Sequence, residues 1–266
     1  MERIESIHNQ RLKDVALLEA KSSRRRASGT CVVEGVRECE RALAAGMVLQ
    51  QIYFCPDIIG QERVQPLVEA APQAFSLSSA AYAKIAYREG TEGVVGIFET
   101  KSLALGDIRT DGSPLVIVLE SVEKPGNLGA ILRSADASGV TAVIVCDALT
   151  DIYNPNVMRA STGAIFTVPT ICCSSQEAAG WLRANNFRIV TAQLQDSKVY
   201  YDMDFTRATA LVFGTEADGL SSYWREISDA KIMIPMMGKM DSLNVATSVA
   251  ILSYEALRQK AGKRQQ

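Results

Sequence analysis

The chain has 266 residues, a length suited to one large or two modest domains. Hydrophobic residues make up 47% and charged residues 22% of it, an ordinary globular composition that excludes a disordered chain. No apolar run approaches the roughly 20 residues of a membrane span, and the first residues are too polar for a signal peptide. We therefore expect a cytoplasmic protein without a membrane partner. The net charge of −2 excludes a global basic field, so any polyanion must be bound by a local cluster.

Six cysteines without a CxxC pair and a single histidine limit the available chemistry. Structural zinc and a disulfide framework are both disfavoured, and we expect no metal site. His8 lies close to the N-terminus, which disfavours Ser-His-Asp and Cys-His catalysis and favours a surface residue near a helix start. Any reaction must therefore be run by Arg, Asn, Glu, Ser or Lys side chains or by a bound cofactor.

The first hundred residues alternate patterns typical of helices and strands. Helical periodicity is found after Asn9 at residues 12–18, and at residues 36–45, 61–70 and from 78 onward. Strand patterns are found at residues 31–33, 48–54, near 75 and at 94–98. These elements predict a small α/β domain over residues 1–99. Residues 100–113, with two glycines and mixed charge, are predicted to be a linker.

From residue 114 onward, the strand patterns are near-continuous apolar runs rather than alternating ones. They lie at residues 115–119, 141–146, 187–192, 210–213 and 231–234. Such runs indicate strands that are buried on both faces, as in a parallel sheet covered by helices. The predicted helices lie at residues 128–138, 156–163, 177–185, 220–227 and 244–259. Residues 114–266 are therefore predicted to form an α/β domain with a mostly parallel sheet and helices on both faces.

The first of three conspicuous loops follows the strand that ends near Glu120. It leads through a turn at Gly126 into a helix that contains Asn127 and Arg133. Open α/β sheets bind ligands at the carboxyl ends of strands, and a helix N-terminus there offers unpaired N–H groups. Gly126 and Gly129 do not form the three-glycine dinucleotide fingerprint, so the loop alone predicts only a capped turn.

Arg133 lies in an otherwise small and apolar stretch of this helix. Two interpretations remain open on local grounds. The guanidinium either clamps a phosphate or forms a salt bridge with Asp136, its i+3 neighbour.

The second and third loops follow two further buried strands. In the second, Gly214 permits close backbone approach of a ligand, with Glu216 and Asp218 at the sheet edge. In the third, Ser242 and Asn244 open the last helix as candidate caps. Capping does not explain why three such loops recur at three strand ends.

Together the loops resemble the three motifs of the SpoU/TrmH-type RNA 2′-O-ribose methyltransferases of the SPOUT superfamily. The matching segments, in order along the second half, are N-x-G-A-I-x-R at residues 127–133, F-G-x-E-x-x-G-L at 213–220 and I-P-M…S-L-N-V-A at 234–246. The N-terminal part is similar to that family's RNA-recruiting domain of ribosomal-protein L30-like fold, through the V-E-G-V-R stretch at residues 33–37.

This resemblance implies an enzyme that transfers a methyl group from S-adenosyl-L-methionine to a ribose 2′-OH of rRNA or tRNA. It also implies a deep trefoil knot in the C-terminal domain, and a homodimer with the site at the interface. By resemblance, Arg133 assists the hydroxyl proton, either as a base or as a phosphate clamp. The residues that orient Arg133 and the ribose are Asn127, Glu216, Ser242 and Asn244. Those that line the cofactor pocket are Gly214, Ile234, Met236 and Leu243.

RNA affinity must come from few contacts because the net charge is near neutral. Two basic clusters are candidates, one of Lys21, Arg24, Arg25 and Arg26, the other of Arg258, Lys260, Lys263 and Arg264. The first is the denser group in the predicted recruiting domain, and we expect it to bind RNA phosphates. The alternative for each cluster is a solvated charged face.

Two other function classes remain as alternatives. One is an RNA-binding module that keeps the fold without the chemistry. Against it argue the intact motif residues Asn127, Arg133, Glu216, Ser242 and Asn244. The other is a nucleotide-dependent oxidoreductase of doubly wound fold, which the missing third glycine disfavours.

Overall fold

The computed structural model of the chain describes residues 1–87, 92–215 and 218–263. It divides into two compact units. The first comprises Met1–Lys101 together with Tyr153–Thr167, and the second comprises Ser102–Ile152 and Val168–Gln266. Tyr153–Thr167 thus groups with the first unit, although sequence patterns place it within the continuous domain at residues 114–266.

The first unit contains a mixed five-stranded sheet of order β1-β4-β3-β5-β2. Its strands are β1 (Glu2–Ile4), β2 (Thr30–Glu34), β3 (Leu49–Phe54), β4 (Gln73–Leu77) and β5 (Val94–Glu99). β4 runs parallel to β1 and β3, whereas β5 runs antiparallel to β2 and β3. Its helices before residue 100 are α1 (Gln10–Ala20), α2 (Ser22–Ser28), α3 (Val36–Ala44), α4 (Gln61–Ala70) and α5 (Ser79–Tyr82).

Local sequence explains where these elements begin and end. The Asn9 side chain accepts a hydrogen bond from the backbone N–H of Arg11 and so caps α1, and the preceding His8 is exposed as predicted. Gly29 has a φ of 63° and ends α2 in the left-handed conformation that glycine adopts without strain. The α/β pattern predicted for this part of the chain is confirmed. β1 and α2 are additional elements, which were missed because β1 is three residues long and α2 is largely polar.

The second unit is built on a seven-stranded sheet of order β10-β12-β9-β11-β6-β7-β8. Its strands are β6 (Leu115–Glu120), β7 (Ala142–Cys146), β8 (Thr170–Cys173), β9 (Arg188–Ala192), β10 (Lys198–Val199), β11 (Thr209–Phe213) and β12 (Ala230–Met233). Every pairing in this sheet is parallel. All residues of β6, β7 and β11 are buried, which confirms the interpretation of these three apolar runs. β9 is only partly exposed at its ends, whereas in β12 Ile232 alone is buried, so the run at residues 231–234 is not a strand buried on both faces.

Six α-helices follow residue 100 in the described parts of the chain. They are α6 (Pro125–Ser138), α7 (Pro155–Ser161), α8 (Ala164–Thr167), α9 (Ser175–Ala184), α10 (Ser222–Ile227) and α11 (Val245–Lys263), of which α7 and α8 belong to the first unit. In the second unit, Leu182 and Trp224 belong to one core cluster with Val116 and Val118 of β6. α6 and α11 pack against each other, and α11 also contacts β6. No helix in the described parts of the chain is both long and apolar enough to cross a membrane.

Candidate active site

The three loops lie after β6, β11 and β12, at one edge of the sheet because all its strands are parallel. A cavity of about 310 Å³ lies at this edge. Its walls come from the second and third loops, the segment after β9 and the start of α11. The residues predicted to hold the cofactor all line it, namely Gly214, Ile234, Met236 and Leu243, and so does Ser242.

Gly214 is required by the shape of its own loop. Thr215 and Gly219 exchange two backbone hydrogen bonds of 3.1 and 3.2 Å, which fold the loop back on β11. A Cβ at position 214 would lie 2.1 Å from the carbonyl carbon and oxygen of Gly219 and 2.4 Å from the Leu220 nitrogen. The close approach that sequence reasoning assigned to a ligand is therefore made by the loop's own backbone.

The first and third motifs meet through their asparagines. Asn244 Nδ2 donates to Asn127 Oδ1 at 3.2 Å, although 117 residues separate the two in the chain. Asn244 Oδ1 accepts from the backbone N–H of Ala246 at 3.0 Å and so caps α11. Arg133 lies further along α6 with its side chain exposed. Glu216 lies outside the described residues.

Two hydrogen-bond networks hold α10, the helix that follows the second motif. Glu120, at the end of β6, accepts hydrogen bonds from the backbone N–H and the hydroxyl of Ser221 at 2.8 and 2.6 Å. The fully buried Trp224 donates its indole N–H to Ser175 Oγ at 3.1 Å, and Ser175 donates to Asp147 Oδ2 at 2.6 Å. These contacts fix α10 beside the cavity.

Two polar atoms of the cavity wall are buried and have no hydrogen-bond partner among the described residues. They are Gln193 Oε1 and Arg225 Nε. The amide nitrogen of Gln193 is occupied, since it donates to the Gln195 carbonyl at 2.7 Å. Buried polar atoms are rarely left unpaired, so the cavity wall contains one acceptor and one donor whose hydrogen-bonding capacity is unused.

Sequence reasoning missed both residues, for different reasons. Gln193 directly follows β9, so the rule that ligands bind at the carboxyl ends of parallel strands also applies to it. Arg225 lies within a six-residue helix, and no sequence signal distinguishes it from a surface arginine.

Family models match both parts of the chain. Residues 114–254 match the SpoU rRNA Methylase family, and residues 9–96 match the MRM3-like substrate binding domain. The chain belongs to the SpoU rRNA methylase family.

Relatives of this SpoU methylase cover nearly its whole length. It is 28% identical to the 23S rRNA (guanosine(2553)-2′-O)-methyltransferase RlmP of Bacillus subtilis, over 96% of this chain and 98% of the relative. It is 30% identical to the 23S rRNA (uridine(2479)-2′-O)-methyltransferase of Streptomyces viridochromogenes, over 94% and 89%.

Solved structures extend the similarity to the fold. The SpoU methyltransferase AviRb from S. viridochromogenes, in complex with the cofactor AdoMet, superposes with a TM-score of 0.89 at 28% identity, covering 96% of this chain and 99% of AviRb. An AdoMet-bound rRNA methyltransferase from Sinorhizobium meliloti also gives 0.89, at 27% identity and 97% coverage of both chains.

The four members of the N-terminal basic cluster of this SpoU methylase differ in solvent exposure. Lys21, Arg24 and Arg26 are exposed, but Arg25 is only 3% exposed. Its guanidinium donates to the carbonyls of Leu18 and Glu19, the latter at 2.8 Å, in the last turn of α1. The prediction that Arg25 binds RNA is therefore wrong, because α2 turns this one arginine inward to bind the end of α1.

The C-terminal basic cluster is also engaged within the chain. Arg258 forms a salt bridge with Glu255 at 2.7 Å, and Lys260 donates to the Ser113 carbonyl at 2.7 Å. Burial lowers the pKa of Lys260 to about 8. Arg264 lies outside the described residues. Of the two clusters, the one at Lys21, Arg24 and Arg26 is the better candidate for phosphate binding.

Proposed function

We propose that this SpoU methylase transfers a methyl group from S-adenosyl-L-methionine to a ribose 2′-OH of rRNA. Its relatives are named as 23S rRNA 2′-O-methyltransferases, and AdoMet is bound in two of the similar structures. The observation that carries the proposal is the cavity at the strand ends, which the second and third family motifs build together. The first motif is joined to the third through Asn127 and Asn244.

The residues of the cavity fit this cofactor. A volume of about 310 Å³ lies at the lower end of the range of roughly 300–1,000 Å³ that is typical of small-molecule sites. Ile234, Met236 and Leu243 offer an apolar wall to an adenine ring. Gln193 Oε1 and Arg225 Nε add an acceptor and a donor to this wall, which suits a ligand that also carries polar groups. When bound, the cofactor supplies a methyl group that the positive sulfonium already activates for transfer.

The protein's own part in the reaction is positioning and help with one proton. Arginine is a poor base at its ordinary pKa, so we assign Arg133 to an RNA phosphate beside the reacting ribose, with the phosphate or water taking the hydroxyl proton. The exposure of Arg133 on α6 supports a contact with a large ligand. We assign the orientation of the ribose to Asn127, which is hydrogen-bonded to Asn244, and to Ser242 in the cavity wall. Glu216 is assigned to the same role.

A homodimer is part of the proposal. Several large apolar side chains of the second unit are exposed on the third motif and on α11, namely Met237, Met240, Tyr254 and Leu257. Exposed apolar surface of this kind marks interaction sites. We expect light scattering to give twice the chain mass, and Leu257→Glu to give the monomer. The trefoil knot stays a prediction.

Ligand binding separates the proposed enzyme from its alternatives. We expect calorimetry to show binding of S-adenosylhomocysteine, the cofactor product, and none of NAD. Leu243→Glu, which places a charge in the cavity wall, should abolish the signal, whereas Tyr201→Glu at an exposed site should not. Binding of neither ligand by the native chain would favour an RNA-binding module, and binding of NAD alone would favour an oxidoreductase.

A further inference from the structure

Arg225 is the one cationic side chain among the described residues that line the cavity, and the acidic ones are Asp218 and Asp241. The Nε atom of Arg225 is buried without a partner among the described residues. An N–H group in this state loses hydration without gaining an acceptor, which is unfavourable. A ligand of the cavity that carries an acceptor would remove this cost.

The position of Arg225 is fixed by its neighbours. The preceding residue, Trp224, is fully buried and hydrogen-bonded to Ser175. Ser221, at the N-cap position of α10, is hydrogen-bonded to Glu120. The Nη2 atom of Arg225 lies 3.8 Å from the place where a Cβ of Gly219 would be, against the second motif. The guanidinium is thus held beside this loop by residues of the core rather than by polar partners of its own.

The charges of the cofactor decide which of its groups such a side chain would bind. Adenosine is neutral, the sulfonium and the ammonium group are positive, and the amino-acid carboxylate is the one negative group. Arginine pairs with carboxylates through strong, charge-assisted hydrogen bonds, whereas the two positive groups would be repelled. The carboxylate is therefore the partner that satisfies both the charge and the unpaired donor.

We propose that Arg225 binds the amino-acid carboxylate of the cofactor, so that it sets the preference of the cavity for ligands that keep the amino-acid part. This inference rests on the proposed function, since it assigns a residue to the same cofactor. Arg225 thereby discriminates between S-adenosylhomocysteine and 5′-methylthioadenosine, which shares the nucleoside and the thioether but has no carboxylate.

The test compares the affinities of these two ligands by calorimetry. The native chain should bind S-adenosylhomocysteine more tightly. Arg225→Met, which keeps the apolar stem and removes the charge, should weaken that ligand about 10- to 100-fold and leave 5′-methylthioadenosine within about twofold. Arg225→Lys should restore part of the preference because it restores the charge.

Control variants show whether Arg225 binds the carboxylate or only supports the loop of the second motif. Arg207→Met changes an arginine of the same unit whose side chain is 78% exposed, and it should change neither affinity. Thermal unfolding of each variant checks the fold, and Arg225→Gln gives the same comparison if Arg225→Met does not fold. An equal loss for both ligands, or a loss for neither, would overturn the proposal. Failure of the native chain to bind either ligand would instead contradict the proposed cofactor.

Discussion

The two units differ in how their functional residues are held. In the second unit, residues far apart in the chain converge because seven parallel strands end at one edge, and each loop there is fixed by hydrogen bonds to another part of the unit. In the first unit, the basic cluster is a run of neighbours in which Arg25 is buried while Arg24 and Arg26 are exposed. Topology thus predicts which loop residues meet, whereas the exposure of a residue in a run depends on how its helix packs.

The largest expected effect is that of Arg133→Ala in the second unit. We expect methyl transfer to fall at least about 10²–10³-fold, because a positioned charge at the reacting group is lost. Affinity for S-adenosylhomocysteine should stay within a few fold, since the side chain acts on RNA. Single-turnover transfer and calorimetry measure the two quantities. Near-native transfer by the variant would remove Arg133 from the site.

Gly214→Ala tests the loop that converges on the cavity. Because the added Cβ would meet the backbone of Gly219 at 2.1 Å, the loop must move. We expect S-adenosylhomocysteine affinity to fall at least about tenfold and the free energy of unfolding to drop by about 1–3 kcal/mol, as in overpacked cores. Gly238→Ala in the third motif is the control, because no atom of the described residues, apart from the chain neighbours, lies within 4 Å of the added Cβ. Native affinity in Gly214→Ala would show that the loop geometry does not matter for binding.

Arg25→Met tests the buried member of the first unit's cluster. It removes hydrogen bonds to the carbonyls of Leu18 and Glu19, so we expect the free energy of unfolding to fall by about 1.5–3 kcal/mol. Arg24→Met, at an exposed neighbour, should leave stability nearly unchanged. Chemical denaturation measures both variants. Equal stabilities would mean that Arg25 does not stabilise the junction of α1 and α2.

The smallest effect is expected for the exposed members of that cluster. Arg24→Ser combined with Arg26→Ser should weaken RNA binding and flatten the log–log salt slope by about 1–1.5 units, since each phosphate contact on single strands contributes roughly 0.7. Stability and cofactor affinity should not change. Titrations across salt concentrations measure the slope. Superimposable slopes for the variant and the native chain would indicate a solvated face.

The strands of the sheet and the motif residues of the cavity wall can be predicted from the sequence, because each has a local sequence pattern. The apolar run at residues 115–119 predicts the buried parallel strand β6. Motif positions such as Gly214 and Leu243 then fall at the edge of the sheet where the strands end. Arg225 and Gln193 are different, since their importance comes from a lost partner that only the packed structure reveals. Likewise, nothing in its sequence indicates that Tyr153–Thr167 groups with the first unit.

We expect the cavity and Arg133 to act together in methylating a ribose hydroxyl of rRNA. The most direct measurement is to incubate the purified chain with 23S rRNA and methyl-labelled S-adenosylmethionine and to locate the label after alkaline hydrolysis. A 2′-O-methyl group blocks cleavage of the adjoining phosphodiester. We therefore expect label in alkali-resistant dinucleotides with the native chain, and at least about 10²-fold less with Arg133→Ala. Label on a base, or equal labelling by the variant, would contradict this expectation.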